Sequence, residues 1–162
     1  MKAAALLSDV IASCRAAGSY DPLVDAIPYA RFLGMRCVVA ADGSLSFVLP
    51  AIQDNLGNPT LPALHGGAIG GFMEHAAIIH LLATMGTPRM PKTVDLSIDY
   101  LRAGLYRDCH ASCTVTRQGR RVANVMISCW QDNPAEPITQ ARAHFLLAEP
   151  FADAGAEGGV TP

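Results

Sequence analysis

The sequence predicts a single α+β domain in which a curved antiparallel sheet wraps around one long buried helix. Three observations predict it: a nearly uniform apolar segment at residues 66–85, a period-two pattern after it, and turn signals between short apolar runs. A helix that is apolar on nearly every side has to be buried. A sheet can cover such a helix only by curling around it. A chain of 162 residues is also within the size range of one domain.

The overall composition limits the classes of partner. Hydrophobic residues make up 51% of the chain and charged residues 16%, an apolar composition for a soluble domain. We therefore expect part of the apolar surface of the domain to contact another subunit. The formal net charge of −2 argues against a general nucleic-acid binder, because such proteins carry a basic excess. The five cysteines are odd in number and form no CxxC pair, which predicts reduced thiols.

The N-terminal segment is predicted to be a short amphipathic helix over residues 3–17, ended by Gly18. A secretory signal would need a longer apolar run than Ala3 to Leu7, which Ser8 and Asp9 interrupt. No uncharged apolar run has the length of a membrane-spanning helix, because Glu74 and two histidines interrupt the longest one. We therefore expect a cytoplasmic protein that does not interact with a membrane.

The segment between this helix and the long helix combines a hairpin with a loop. Apolar runs at residues 32–40 and 45–49 flank Asp42 and Gly43, a strong hairpin signal. Residues 50–64 contain three prolines together with asparagine and glycine, a composition that resists both helix and strand. The sequence therefore predicts a β-hairpin followed by an irregular loop that leads into the long helix.

The second half of the chain is predicted to be all strand. In the segment TVDLSIDYLR, Thr93, Asp95, Ser97 and Asp99 alternate with apolar residues, which predicts a half-buried strand with Thr93 on the polar face. Three further strands are expected at about 106–116, 122–130 and 138–147, forming an antiparallel meander. Together with the buried helix they make the hotdog fold. We assign residues 1–150 to this single domain and residues 151–162 to a disordered tail.

The start of the long helix and one acidic residue within it carry the candidate chemistry. Gly66 and Gly67 follow His65 at a helix N-terminus, where free amides and the helix dipole favour developing negative charge. The alternative is that the glycines merely allow close packing. Glu74 stands among apolar helix residues, where a carboxylate can become a base. The alternative is a structural salt bridge with an arginine of a covering strand.

The segments HGGAIGGFMEHAA and TVDLSIDYLRAG together resemble the acyl-CoA thioesterases of the 4-hydroxybenzoyl-CoA and phenylacetate-pathway type. The likeness covers roughly residues 33–147, and its most specific parts are His65-Gly66-Gly67, an acid nine positions after the histidine, and the strand that follows. It implies that Glu74 is the base or nucleophile and that the Gly66 amide forms the oxyanion hole. It implies less directly that the Thr93 hydroxyl holds the attacking water.

The resemblance is incomplete in one place. Many members carry asparagine or glutamine six residues before the motif histidine, to grip the thioester carbonyl, whereas Pro59 stands there in this sequence. Either the neighbouring Asn58 takes that role, or the contact is absent and the Gly66 amide contacts the thioester carbonyl without it. His65 and Asn58 are therefore kept as candidate catalytic residues, and Gly67 as a residue that binds the substrate.

The remaining candidates concern coenzyme A, metals and cofactors. Arginines near predicted strand ends could hold the phosphates of coenzyme A or could be ordinary solvated charges; they are Arg102, Arg117, Arg120 and Arg121. His75 and His80 are five positions apart, on different helix faces, so we expect them to have packing or interface roles and not to bind a metal. No cofactor is expected, because a thioester with its good leaving group needs only a fixed carboxylate and an oxyanion hole.

Several functional alternatives stay open at this level. Glu74 could attack the carbonyl to form an anhydride or could activate water, and the acyl group is not specified. A hotdog dehydratase or hydratase is the nearest enzymatic rival, although its HFPG motif is missing here. A module that binds acyl-CoA without turnover is the rival from another class.

The spacing of the two central candidates predicts an assembly. Gly66 and Glu74 are eight residues apart, so on one helix they lie roughly 12 Å apart along the axis, too far to act on one thioester. The carboxylate of a site should therefore come from another chain. We expect a homodimer with shared sites, as the resemblance also implies, or a homotetramer built from such dimers.

Overall fold

The computed structural model describes residues 2–85 and 89–147. Its eight strands form one six-stranded sheet and a two-stranded ribbon, and a long helix lies against the concave face of the sheet. The helices are α1 (Lys2–Ala17), α2 (Asp21–Asp25), α3 (Pro28–Phe32) and α4 (Gly66–Thr84). The strands are β1 (Arg36–Val39), β2 (Leu45–Leu49), β3 (Leu56–Asn58), β4 (Ala63–Leu64), β5 (Pro91–Tyr100), β6 (Cys109–Gln118), β7 (Val122–Trp130) and β8 (Thr139–Leu147).

The N-terminal region is more helical than the sequence predicts. Helix α1 ends as expected at Gly18, whose φ of 66° is readily adopted only by glycine. Two five-residue helices that were not predicted follow it, each with a proline in its first turn, where the missing N–H costs nothing. The predicted start of the first strand at Phe32 is therefore wrong, because Phe32 ends α3 and β1 begins at Arg36.

The six-stranded sheet is antiparallel, with the strand order β1-β2-β6-β7-β8-β5. The β1–β2 hairpin turns at the predicted place, where Gly43 has a φ of 81° and the Asp42 carboxylate accepts the Ser44 amide. Strands β6, β7 and β8 form the predicted meander. Strand β5 pairs with β8 and, among the described strands, forms one edge of the sheet.

Helix α4 is the centre of the hydrophobic core. It buries Phe72, Met73, Ala76 and Ala77 completely, with contacts to β2, β5, β6, β7 and β8. At its C-terminal end the Arg15 guanidinium of α1 donates to the carbonyl oxygens of Ala83 and Met85, at 3.1 and 2.6 Å. A cation there satisfies carbonyls that have no helical partner and complements the helix dipole. These features confirm the predicted hotdog architecture.

A β-bulge in β5 corrects the predicted placement of Thr93. The register shifts between Thr93 and Asp95: Thr93 lies opposite Phe145, and Asp95 lies opposite His144. Phe145 is fully buried on the concave face, so Thr93 faces the core as well, and Val94 is the exposed extra residue of the bulge. The prediction that Thr93 shares a face with Asp95 is therefore wrong.

The loop before α4 is more ordered than predicted. Gln53–Asn55 form a 3-10 turn, and β3 and β4 form a small antiparallel ribbon. This ribbon brings residues 56–64 back to the entrance of α4. The expected tail, residues 151–162, lies outside the described residues.

Candidate active site at the helix terminus

The first backbone amides of α4 differ in whether they have a hydrogen-bond partner. The His65 amide donates to the Asn55 carbonyl at 2.8 Å, and the Gly67 amide donates to His65 Nδ1 at 2.9 Å. Between them, the Gly66 amide has no hydrogen-bond partner in the described part of the chain. A half-buried amide at a helix N-terminus, with the dipole behind it, is suited to bind an oxyanion.

His65 acts as the N-cap of α4 in this structure. Its backbone is extended and its ring accepts the Gly67 amide, the position that serine or asparagine commonly fills. A ring nitrogen that accepts a hydrogen bond carries no proton, so the neutral His65 ring carries its proton on Nε2. This gives the motif histidine a definite structural role beside Gly66.

The segment that precedes His65 is fixed in place by hydrogen bonds of the buried Asn55 and by close packing at Gly57. Asn55 is fully buried, and its side-chain amide donates to the carbonyl oxygens of Leu33 and Pro50, at 2.9 and 3.0 Å. Gly57 lies so close to His65 that a Cβ at this position would be 2.5 Å from the His65 Cα. The chain can pass His65 here only without a side chain.

Tyr100 reaches the same helix terminus from the end of β5. Its hydroxyl donates to the Gly66 carbonyl at 2.7 Å. The Tyr100 side chain packs on the helix face formed by Gly66 and Gly70, where ideal Cβ atoms would stand 3.4 Å and 3.6 Å from its hydroxyl oxygen, at ordinary van der Waals distance. Both predicted roles of the glycine pair therefore have a basis, since Gly66 offers a free amide and Gly67 permits close packing of the His65 ring, whose Nδ1 would stand 3.0 Å from a Cβ at that position.

Glu74 lies about two turns further along α4. Its side chain is half-buried, and it forms no hydrogen bond or ion pair with any residue that the structure describes. The alternative of a salt bridge with an arginine from a covering strand is thus not realised within residues 2–85 and 89–147. A partly buried carboxylate without a local partner is available for chemistry or for contact with another chain.

An aromatic group flanks Glu74 on the helix. The Tyr29 ring of α3 lies where a side chain on Gly71 would be, 2.7 Å from an ideal Cβ, and packs against the His75 ring at a centroid distance of 5.4 Å. His75 Nδ1 lies 2.7 Å from the Gly71 carbonyl, so it has a packing role as predicted. Tyr29 and the neighbouring Phe32 remain 45% and 56% exposed, which leaves an aromatic surface against α4 at Gly71 and His75.

Thr93 and Asn58, the two auxiliary candidates, lie on different strands. Thr93 is half-buried on the concave face near the start of β5. Asn58 is exposed at the end of β3, and its side-chain carbonyl oxygen accepts the amides of Thr60 and Leu61, at 2.9 and 3.1 Å. The oxygen of Asn58 is therefore used within its own turn, and only its amide nitrogen remains to donate.

The arginines do not form one cluster. Arg102 follows the end of β5 and donates to the Pro137 carbonyl at 2.6 Å, whereas Arg120 and Arg121 lie in the β6–β7 turn beside the start of β5. A ten-residue strand is roughly 33 Å long, so the two groups lie far apart in one chain. Beside the turn is a surface groove of about 390 Å³, lined by Arg117, Gly119, Arg121, Val122 and Asn124.

His80 is half-buried on α4. Burial lowers its pKa, which favours the neutral form of the ring inside the fold. Within residues 2–85 and 89–147 no three histidine, cysteine or acidic side chains come together as a metal site would require. No helix of the described ranges has the length and apolarity needed to cross a membrane.

The sequence analysis did not predict two contacts of the site: that of the Asn55 carbonyl with the His65 amide, and that of the Tyr100 hydroxyl with the Gly66 carbonyl. Both depend on long-range packing. The glycine spacing is no signal for the Tyr100 contact, because Cβ atoms at Gly66 and Gly70 would stand at ordinary van der Waals distance from its hydroxyl oxygen.

Comparisons with known proteins agree with this architecture. A family model described as "Thioesterase superfamily" matches residues 61–138, which include α4 and β5. A crystal structure of a Chromobacterium violaceum protein is 45% identical, covers 85% of this chain and 96% of its own, and superposes with a TM-score of 0.70. A search of curated proteins gives no match.

More distant structures share the fold. A phenylacetic acid degradation-related protein of Ralstonia eutropha is 24% identical over 74% of this chain and 90% of its own, with a TM-score of 0.64. A Bacillus halodurans protein crystallised with CoA is 18% identical over 90% of this chain and 93% of its own, with a TM-score of 0.67.

Proposed function

This chain belongs to the thioesterase superfamily, and we propose that it is an enzyme that hydrolyses acyl-coenzyme A thioesters to the free acid and coenzyme A. The observation that carries the proposal is the half-buried carboxylate of Glu74, unpaired within the described chain, on a helix whose Gly66 amide is also free. The Bacillus halodurans structure with CoA supports coenzyme A as the thiol part of the substrate.

Gly66 is proposed to stabilise the oxyanion. When the thioester carbon becomes tetrahedral, its oxygen gains negative charge, and a fixed amide about 3 Å away stabilises that charge more than it stabilises the ground state. The free Gly66 amide at the positive end of α4 suits this role. The glycine leaves space for the carbonyl oxygen to approach.

Glu74 is proposed to supply the oxygen nucleophile directly or through water. In one route its carboxylate attacks the carbonyl carbon, the C–S bond breaks, and water hydrolyses the resulting anhydride. In the other route it takes a proton from the water that attacks. Both routes need the ionised carboxylate, and both release a thiolate that is a good leaving group.

Thr93 and Asn58 are proposed as auxiliary groups. Thr93 faces α4 because of the bulge in β5, which supports a role in holding water beside a carboxylate. The amide nitrogen of Asn58 can still donate to a carbonyl, although its oxygen is bonded within the β3–β4 turn. Gly67, with its amide held by His65, is proposed to shape the entrance for the substrate.

The complete site is proposed to form between two chains. Roughly 12 Å of helix axis separates Gly66 from Glu74, so one thioester cannot reach both in the same chain. A second copy whose α4 runs antiparallel about a two-fold axis would bring its Gly66 to this Glu74. The edge position of β5 among the described strands, with exposed Val94 and Tyr100, supports such an association.

The same arrangement offers a place for the phosphates. If two β5 edges pair antiparallel, Arg102 at the end of one strand lies toward the β6–β7 turn of the partner, which carries Arg120 and Arg121. Those arginines, separated within one chain, would then line one composite surface. We propose that this surface binds the phosphates of coenzyme A, since guanidinium groups pair well with phosphate.

The test of the proposal is turnover of an acyl-CoA panel. Benzoyl-, phenylacetyl- and octanoyl-CoA and one enoyl-CoA would be incubated with the full chain, and free coenzyme A and any hydrated acyl-CoA would be measured by chromatography. Hydrolysis of at least one substrate is expected. Tight binding without turnover would replace the proposal by a binding module, and hydration of an enoyl-CoA would replace it by a hydratase.

A further inference from the structure

The peptide unit between Gly66 and Gly67 is held at both ends by side chains. Its carbonyl accepts the Tyr100 hydroxyl at 2.7 Å, and its N–H donates to His65 Nδ1 at 2.9 Å. Hydrogen bonds on the two sides of one peptide polarise and reinforce each other. The side chains of Tyr100 and of the N-cap residue His65 therefore both help to fix the orientation of this peptide.

The preceding peptide, between His65 and Gly66, carries the free N–H. Its carbonyl accepts the Ile69 amide at 3.1 Å as the first turn of α4 begins. The free amide of Gly66 thus belongs to one of two peptides that meet at the Gly66 Cα. Rotation about the bonds of that Cα changes the angle between the two peptides, and glycine restricts such rotation least of all residues.

Tyr100 is well placed to remove that freedom. It stands on the concave face of β5 opposite the fully buried Thr139, and its side chain packs against Gly66 and Gly70 of α4. Its side chain is nevertheless about half exposed, with 54% of the residue surface accessible. Its hydroxyl therefore joins the end of β5 to the first residue of α4 at an accessible position beside the free Gly66 amide.

We infer that the Tyr100 hydroxyl is a positioning group for the oxyanion hole: by holding the Gly66 carbonyl it keeps the Gly66 amide aimed at the developing oxyanion. This inference rests on the proposed hydrolysis. A catalytic donor has to be held within roughly 0.5 Å of its productive position by neighbouring groups. Tyr100 acts on the substrate only through the Gly66 peptide.

The direct test is Tyr100→Phe, which keeps the ring and deletes the hydroxyl. The matched control is Tyr106→Phe, because the half-buried Tyr106 forms no side-chain hydrogen bond with the described residues. With the acyl-CoA that the parent hydrolyses fastest, Tyr100→Phe should lower kcat about tenfold and leave KM within about twofold. The control should match the parent in both constants.

A spectroscopic readout separates positioning from a general loss of stability. The same acyl-CoA, labelled with 13C at the thioester carbonyl, would be bound to Glu74→Gln and to the Glu74→Gln/Tyr100→Phe double variant. Its C=O stretch should lie at higher frequency in the double variant, because a misaligned donor polarises the carbonyl less. This comparison remains valid if Tyr100→Phe lowers the Tm, since only bound, folded protein contributes the shifted band.

The outcomes are distinct. An active parent, with unchanged kcat in Tyr100→Phe and an unchanged carbonyl frequency in the double variant, overturns the inference and leaves the proposed function intact. A parent without hydrolytic activity overturns the proposed function, and the inference with it. A loss in kcat together with the frequency shift supports the positioning role.

Discussion

Gly66 and Glu74 lie on one helix, eight residues apart, with the amide of the first and the carboxylate of the second both unpaired within the described chain. Roughly 12 Å along the axis separates them. Two groups that cannot meet in one chain can meet across a two-fold axis, which is the basis of the first prediction.

Mixing two inactive variants should restore activity. Glu74→Ala lacks the carboxylate, and Gly66→Pro lacks the amide hydrogen at the first helical position, where proline is tolerated. A heterodimer contains one site with an intact Gly66 and an intact Glu74, so random co-refolding should restore about a quarter of the parent activity. Verified heterodimers that stay as inactive as the separate variants, with Gly66→Pro folded, would exclude the shared site.

Loss of the cap at the C-terminal end of α4 should destabilise the fold. Arg15→Ala removes the donor to the carbonyl oxygens of Ala83 and Met85, at a cost of roughly 1–2 kcal/mol. For a chain of this size that lowers the Tm by about 2–4 °C per kcal/mol. The control is Arg31→Ala on α3, since the exposed Arg31 has no side-chain partner among the described residues. Equal Tm values for the two variants would contradict the cap.

A methyl group at Gly57 should disturb the entrance to α4. In Gly57→Ala the new Cβ would stand 2.5 Å from the His65 Cα and 2.8 Å from its nitrogen, so backbone has to move. We expect destabilisation of roughly 1–3 kcal/mol, together with loss of turnover, because His65 caps the first turn. Gly119→Ala is the control, since its Cβ would meet nothing closer than 3.5 Å. Thermal unfolding and kcat of both variants test this expectation.

The cysteines should react slowly in the native protein. Burial, with smaller contributions from the negative charge of Asp21 and from Cys14, raises the pKa of Cys37 to about 12, so at pH 8 the thiol stays protonated and unreactive. Cys14, Cys109 and Cys129 are fully buried. A thiol reagent should label these four only after denaturation. Rapid labelling of native Cys37, identified by mass spectrometry, would contradict this packing.

The sequence predicted the parts of the fold that depend on local patterns. The apolar run of α4, the turn at Asp42-Gly43 and the period-two strands follow from short-range periodicity, and the structure confirms them. The short helices α2 and α3 were missed, since five-residue segments that begin around proline carry little helical periodicity.

The sequence predicted which residues form the candidate site, but it did not predict how they are arranged in space. Gly66 and Glu74 stand out in the sequence because a glycine pair and a carboxylate are unusual in a buried helix. The bulge that turns Thr93 inward leaves no mark on an alternating pattern, and the Tyr100 contact joins positions 34 residues apart. Such features arise from tertiary packing, which a periodicity argument does not contain.

The most direct test of the central claim is the turnover number of Glu74→Gln. The substitution keeps the size of the side chain and removes its ability to ionise. With the fastest acyl-CoA of the panel, and with oligomeric state and Tm equal to those of the parent, we expect kcat to fall by about a hundredfold or more. A kcat within about threefold of the parent would remove Glu74 from the mechanism and contradict the proposed hydrolysis by this carboxylate.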